Sequence, residues 1–218
     1  IPTSVKLRVF YLSPMPSWLA NLQVPYLPAV LVGGLFAAVA AFLIGLPVLR
    51  LKGDYLAIAT LGFSEIIRVA ILNTPSFTNA AIGITRIPGN ATVWLTYGIF
   101  AVVTIFLLIL MKTSYGRAFK AIREDEVAAE AMGINLFKHK MISFVLSGFI
   151  AGISGSLIAS VVGTIDPTQF RFTLTYNILM MVVIGGLGSI SGSILGVFIV
   201  TIGLELLRFV DEPINFGL

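Results

Sequence analysis

Residues 93–111, VWLTYGIFAVVTIFLLILM, contain no charged side chain. As a helix this stretch is about 28 Å long at ~1.5 Å per residue, close to the ~30 Å hydrocarbon thickness of a bilayer. In lipid every backbone N–H and C=O must be satisfied internally, which admits helices and closed barrels. The stretch shows no polar alternation, so it reads as a spanning helix. Comparable tracts occupy residues 24–49, 55–72, 141–162 and 173–210. The chain has 57% hydrophobic and 11% charged residues, against about 45–50% and about 25% in soluble domains. In 218 residues, spans of roughly 20 residues each leave no room for a soluble domain. The expected fold is an all-α polytopic transmembrane helical bundle of about five to six spans, forming a single domain over residues 1–218.

The formal charge is +4, and its distribution matters more than its size. Arg50, Lys52, Lys112, Arg117, Lys120, Arg123, Lys138 and Lys140 cluster at span ends, where the positive-inside rule places cytoplasmic loops. Lipid, and not nucleic acid, explains these charges. Cysteine is absent, which removes disulfide frameworks, thiol nucleophiles and Cys-based metal sites together. A membrane-embedded hydrolase would need a motif such as HExxH or a nucleophile with a base, and the chain has one histidine. His139 lies at the basic end of a loop and is expected to be solvated. The chain begins at Ile1, with no charged n-region or cleavage site before the first apolar run. We therefore expect a fragment.

A topology follows. Residues 1–23 are mixed and proline-bearing and are placed outside, with Tyr11 and Trp18 at the interface. The first span enters the cytoplasm at Arg50 and Lys52. Gly53 breaks the chain, and Asp54 is the expected N-cap of a second span that returns outward. Residues 73–92, rich in Asn, Thr, Pro and Gly, form an external loop. The third span ends inside at Lys112. After a cytoplasmic loop at 112–140, residues 141–162 cross outward to a second external turn containing Asp166-Pro167. The tract 173–210 is interrupted by GGLGSISG. It reads as two short crossings with the glycine turn near the cytoplasm, or as a re-entrant hairpin.

The cytoplasmic loop contains GRAFKAIREDEVAAEAMGIN, residues 116–135. Alanine and glutamate favour helix, and Gly133 can take the left-handed backbone that ends one. Phe119, Ile122, Val127, Ala131 and Met132 make no single stripe, so one bent helix or two short helices along the membrane surface are expected. A plain tether would need no such order, whereas a helix offered to another protein would.

That string, followed by SFVLSGFIAGISGSL, resembles the permease subunits of branched-chain amino acid ABC importers. LRLKGDYLAIATLGFSEIIR at 49–68, TNAAIGI at 78–84, DPTQF at 166–170 and LMMVVIGGLGSISG at 179–192 carry the same resemblance, in the family's order. The family's opening Gly-rich span and its last helix with a basic tail are not matched. Asn79, Ala80 and Ala81 depart from the usual Gly-Gly, and Thr175 stands near where serine is common.

The resemblance implies a machine in which this subunit makes and breaks no bond. It implies a bacterial or archaeal inner-membrane complex with an extracytoplasmic substrate-binding protein, a second homologous permease, and two ABC ATPase subunits. No cofactor is expected in this subunit, since ATP would be bound by the ATPases. Segment 112–140 would be the coupling loop. Gly116 and Gly133 bound its helical part. Arg117, Arg123, Glu124, Asp125 and Glu130 would be rim contacts, with Ala121, Ala128, Ala131 and Met132 as the seated face. Permeases for urea, short amides or sugars, and ion-coupled secondary transporters, are the alternatives.

Glu65 and Arg68 lie one helical turn apart, and a salt bridge between them would lower the cost of charge within a span. They are either a structural pair or an outer gate that meets a zwitterionic substrate. Thr60, Ser64, Thr175 and Asn177 are candidate pathway residues, although Ser and Thr hydroxyls also bond their own helix backbone. Gly148 with Gly152, and Gly188 with Gly192 and Gly196, recur at four-residue spacing and are expected to form close-packing helix faces. GGLGSISG is not a phosphate loop, since no lysine follows and the spacing is not GxGxxG.

Overall fold

The computed structural model describes residues 4–6, 23–51, 53–74, 83–85, 87 and 91–211. Tyr11, Trp18, Lys52 and Asn79–Ala81, with most of the TNAAIGI segment, lie outside the described residues. The described residues form eight α-helices: α1 (Tyr26–Val48), α2 (Asp54–Leu72), α3 (Val93–Leu110), α4 (Ser114–Glu124), α5 (Glu126–Ala131), α6 (Leu136–Val162), α7 (Phe172–Gly185) and α8 (Ile190–Asp211). The all-α reading holds. α1, α2, α3, α6 and α8 are long and apolar enough to cross a membrane. Two compact units are present, residues 1–169 and 170–218.

In the first unit, α1 and α6 are antiparallel and nearly touch backbone to backbone. The cause is a run of small residues that the sequence reading overlooked in α1. Gly34, Ala38, Ala41 and Gly45 are buried there with Val30 and Val48. Opposite them stand glycines of α6. A Cβ added at Gly152 would lie 2.5 Å from the Ala37 Cβ and 2.9 Å from the Gly33 carbonyl oxygen. One added at Gly148 would lie 2.5 Å from the Ala41 Cβ. Such small-residue seams let membrane helices gain dispersion contacts where no hydrophobic drive separates helix from lipid. Farther along, Val30, Ile153 and Leu157 form a cluster on which Tyr26, Phe149, and Leu95 and Ile99 of α3 pack.

Short strands join the connections. β1 (Ser4–Lys6) pairs antiparallel with β2 (Gln23–Pro25), a feature the sequence reading had not anticipated. β3 (Ile84–Thr85) pairs with β4 (Thr164–Ile165), Ile84 opposite Ile165, and the Ile87 N–H donates to the Gly163 carbonyl at 2.9 Å. The loop after α2 and the turn after α6, both assigned outside from sequence, are therefore hydrogen-bonded to each other at one end of α6. α4 and α5 adjoin its other end.

Two boundaries differ from expectation. Asp54 is the first residue of α2 and not its cap; Gly53, at φ +58°, precedes the helix with no side-chain cap bond. The carboxylate still sits at the positive end of the helix dipole. α6 begins at Leu136, earlier than expected, because the Asn135 side chain caps it by accepting from the Lys138 N–H at 3.0 Å. Lys138, His139 and Lys140 are thus helical.

The second unit is a helical hairpin. α7 has 14 residues, about 21 Å at ~1.5 Å per residue, short of the hydrocarbon core. α8 has 22. The expectation of two short crossings is therefore corrected to one short helix and one of full length. α7 stops early because Gly186, at φ +92°, turns the chain. Gly188, at φ +89°, belongs to this turn. It does not belong to a helix face, so the expected stripe of Gly188, Gly192 and Gly196 loses its first member. Gly185 takes that place: a Cβ at Gly196 would lie 2.7 Å from the Gly185 Cα, and one at Gly185 would lie 2.8 Å from the Ser193 Cα. The Ser189 Oγ accepts from the Gly192 N–H at 3.0 Å and starts α8.

Candidate functional site

The loop between α3 and α6 is ordered from end to end. Thr113 caps α4, its Oγ1 accepting from the Gly116 N–H at 3.5 Å and donating to the Leu110 carbonyl at 2.6 Å. Gly116 is required by this turn: a Cβ there would lie 2.5 Å from the Leu110 carbonyl oxygen. α4 is amphipathic. Ile122 is buried and Ala118 and Phe119 are half-buried, while Arg117, Lys120, Arg123 and Glu124 are exposed. Leu49 and Leu56 face it across a cleft of about 550 Å³ that Phe119 and Ile122 also line.

Asp125 separates the two short helices. Its backbone is extended at φ −155°, ψ 113°, and it closes α4 and caps α5 together. Its Oδ1 accepts from the N–H groups of Val127 at 2.8 Å and Ala128 at 3.1 Å. The resemblance placed Asp125 among rim contacts, whereas here its carboxylate is engaged by α5 itself. Loss of such a cap costs about 1 kcal/mol. Asp125→Ala is therefore expected to raise amide hydrogen exchange at Val127 and Ala128 while leaving exchange in the middle of α6 unchanged.

The C-terminal end of α5 is built as a Schellman motif. Ile134 N–H donates to the Ala129 carbonyl at 3.1 Å and Gly133 N–H to the Glu130 carbonyl at 2.9 Å, with Gly133 at φ +82°. Between the two caps, α5 buries Ala129 to 3% exposure. At about 100° per residue, Val127, Ala131, Ala128 and Met132 fall within an arc of about 140° on the opposite side. All four are exposed, Val127 to 77% and Met132 to 83%. This is an apolar stripe on a polar loop. Val127 was missing from the face inferred from sequence, where only its alternation with alanines could have revealed it. Ala121 stands on α4, half-buried, apart from the stripe. Glu130 is exposed at its edge. Arg123 pairs with the adjacent Glu124, Nε to Oε1 at 3.1 Å, and Arg117 donates to the Ser114 Oγ at 3.1 Å.

His139 is not simply solvated. Its ring packs against Tyr115 and Phe119, with centroids 6.0 and 6.3 Å apart, and its Nδ1 meets the Asn135 carbonyl at 2.8 Å.

The candidate pathway residues separate by helix. Thr60, Ser64 and Arg68 fall at four-residue steps along one face of α2. The Thr60 hydroxyl donates to the Ala57 carbonyl at 2.8 Å and Ser64 to Leu61 at 2.7 Å, so both bond their own helix. Arg68 Nε donates to Glu65 Oε2 at 2.9 Å within a two-pronged salt bridge. Thr175 and Asn177 are on α7, two residues apart and so on different faces. Among the described residues, no cluster of three or more His, Cys, Asp or Glu side chains could hold a metal ion.

Comparison with known proteins adds relatives to this geometry. The family described as branched-chain amino acid transport system, permease component, matches residues 10–214. The high-affinity branched-chain amino acid transport system permease protein LivM of Escherichia coli K12 is 35% identical over 215 residues, covering 83% of this chain and 51% of that protein. A probable branched-chain amino acid transport permease protein LivH of Methanocaldococcus jannaschii is 28% identical over 203 residues, covering 85% and 64%. The fructose import permease protein FrcC of Rhizobium meliloti is 32% identical over 130 residues, covering 55% and 36%. The chain spans about half the length of the LivM proteins it matches. No solved structure matches it.

Proposed function

We propose a function from one premise: the chain belongs to the permease-component family of branched-chain amino acid transport systems, and is a multi-pass membrane protein. It forms part of a permease that carries branched-chain amino acids inward across a bacterial or archaeal cytoplasmic membrane, driven by ATP that partner ATPases bind and hydrolyse. An extracytoplasmic binding protein delivers the substrate, and a second homologous permease completes the path. The subunit itself performs no catalysis. Its contribution is mechanical, with α4–α5 as the element an ATPase grips.

The observation that carries this reading is the stripe Val127, Ala128, Ala131 and Met132. Its four side chains are exposed on a loop whose basic residues favour the cytoplasm, on a helix fixed at both ends by caps. An exposed apolar strip rimmed by charge is the chemistry of a protein-docking surface. Small alanines let a partner approach closely with little side-chain entropy lost.

The test uses the absence of cysteine. Met132→Cys is expected to react with a membrane-impermeant maleimide in inside-out vesicles and not in intact cells, and assembled ATPase is expected to shield it. Labelling from outside intact cells would overturn the topology and the coupling role together. FrcC favours a second reading, a sugar substrate for this chain; preferential uptake of labelled fructose over labelled leucine would establish it.

A further inference from the structure

We propose that Lys140 is a positioning residue for energy coupling: its ion pair with Glu126 holds the docking helix α5 in a fixed pose on α6. The proposal rests on the reading that α5 engages an ATPase, and it names the route by which a push on α5 reaches the spans.

The Lys140 Nζ donates to the Glu126 Oε1 at 2.6 Å, joining residues fourteen apart in the chain. Lys140 is only 21% exposed and Glu126 46%, so the lysine stem lies along the protein while its charge reaches α5. α5 needs such a tie. A helix of six residues has no stability of its own, and Ala129 is its one buried residue. Its N-terminal connection is Asp125, a single extended residue about which the helix could swing.

The adjacent residue completes the arrangement. His139, also on the first turn of α6, packs against Tyr115 and Phe119 of α4. Consecutive residues of α6 thus hold one loop helix each, His139 gripping α4 and Lys140 gripping α5. α6 is unbroken over its 27 residues, is seated along α1 through Gly148 and Gly152, and ends just before β4. Movement imposed on α5 passes through Lys140 to a helix that spans the whole unit. With the pair cut, the same push rotates α5 about Asp125 and is dissipated.

The experiment uses the permease assembled with its ATPases, partner permease and binding protein in proteoliposomes, reading uptake and ATP hydrolysis together. Lys140→Glu and Glu126→Lys are each expected to lower uptake per ATP roughly fivefold while ATPase assembly is retained. The double swap Glu126→Lys/Lys140→Glu is expected to restore the ratio, a rescue that a general folding defect would not show. In a background without other reactive cysteines, Glu126→Cys/Lys140→Cys joined by a short thiol crosslinker is expected to keep uptake, because the pair stays closed through the cycle. An unchanged ratio in Lys140→Glu, a swap no better than its single changes, or crosslinked protein that has lost uptake would each overturn the proposal. Absence of ATP-driven uptake in the unaltered complex would instead overturn the proposed function.

Discussion

Gly152→Leu is expected to force α1 and α6 apart along their seam and to lower the stability of the folded protein. Two opposing effects decide the sign. Replacing a mid-helix glycine gains up to about 1 kcal/mol in helix propensity. Against this, the first side-chain atom at position 152 would already lie 2.9 Å from both the Gly33 carbonyl oxygen and the Gly34 Cα. Backbone cannot rotate aside as a flexible side chain can, so the helices must separate along the seam. Overpacking of this kind costs about 3 kcal/mol, which outweighs the propensity gain. At about 1.4 kcal/mol per tenfold change, the net loss is more than tenfold in the ratio of folded to unfolded protein. Gly155, on the same helix, has open space where a Cβ would go. Gly155→Ala is therefore expected to leave thermal stability unchanged or raised. The yield of monodisperse protein and its thermal midpoint in detergent check both, and equal behaviour of the two variants would refute the seam.

The contrast between these glycines shows what sequence could and could not reveal. Span number and position follow from hydrophobic length, because lipid tolerates few alternatives. α1 and α3 accordingly begin and end within two residues of expectation. The helical character of the loop was legible too, as one bent helix or two short ones, since Ala, Glu and a terminal glycine act locally; the split at Asp125 decides for two. The four-residue spacing of Gly148 and Gly152 marked the close-packing face of α6, which Gly155 falls outside. Its partner was not legible, because only the register of α6 against α1 brings Gly33, Gly34, Ala37 and Ala41 opposite that face. The same spacing misled at Gly188, which the turn at Gly186 removes from any helix face. The capping role of Asp125 and the ring contacts of His139 escaped the sequence for a related reason. Their partners are set by a helix break and by the early start of α6, both of which rest on single capping side chains.

If the proposed function holds, Gly133→Val is expected to uncouple ATP hydrolysis from uptake while leaving the protein folded. A Cβ at position 133 would meet nothing within 4 Å, so sterics with neighbours play no part. The cost is conformational: φ +82° places a non-glycine residue in the left-handed region at about 1–2 kcal/mol, and a β-branched side chain suffers most. The Schellman bonds from Ile134 and Gly133 then compete with that strain, and α5 has little burial with which to resist. Because α5 buries only Ala129, global stability should hardly change. The stripe of Val127, Ala128, Ala131 and Met132 loses its pose, and uptake per ATP is expected to fall about tenfold, the factor that ~1.4 kcal/mol implies. Gly133→Asn, which tolerates the same backbone, should retain most coupling. Glu130→Lys provides the complementary measurement: the charge at the stripe's edge is reversed while both caps remain. Uptake per ATP should again fall, but amide exchange within α5 should stay at its original level. If Val and Asn at 133 couple equally well, the left-handed cap has no part in transmission. If Glu130→Lys also leaves coupling intact, the exposed stripe is not the surface that the ATPase grips.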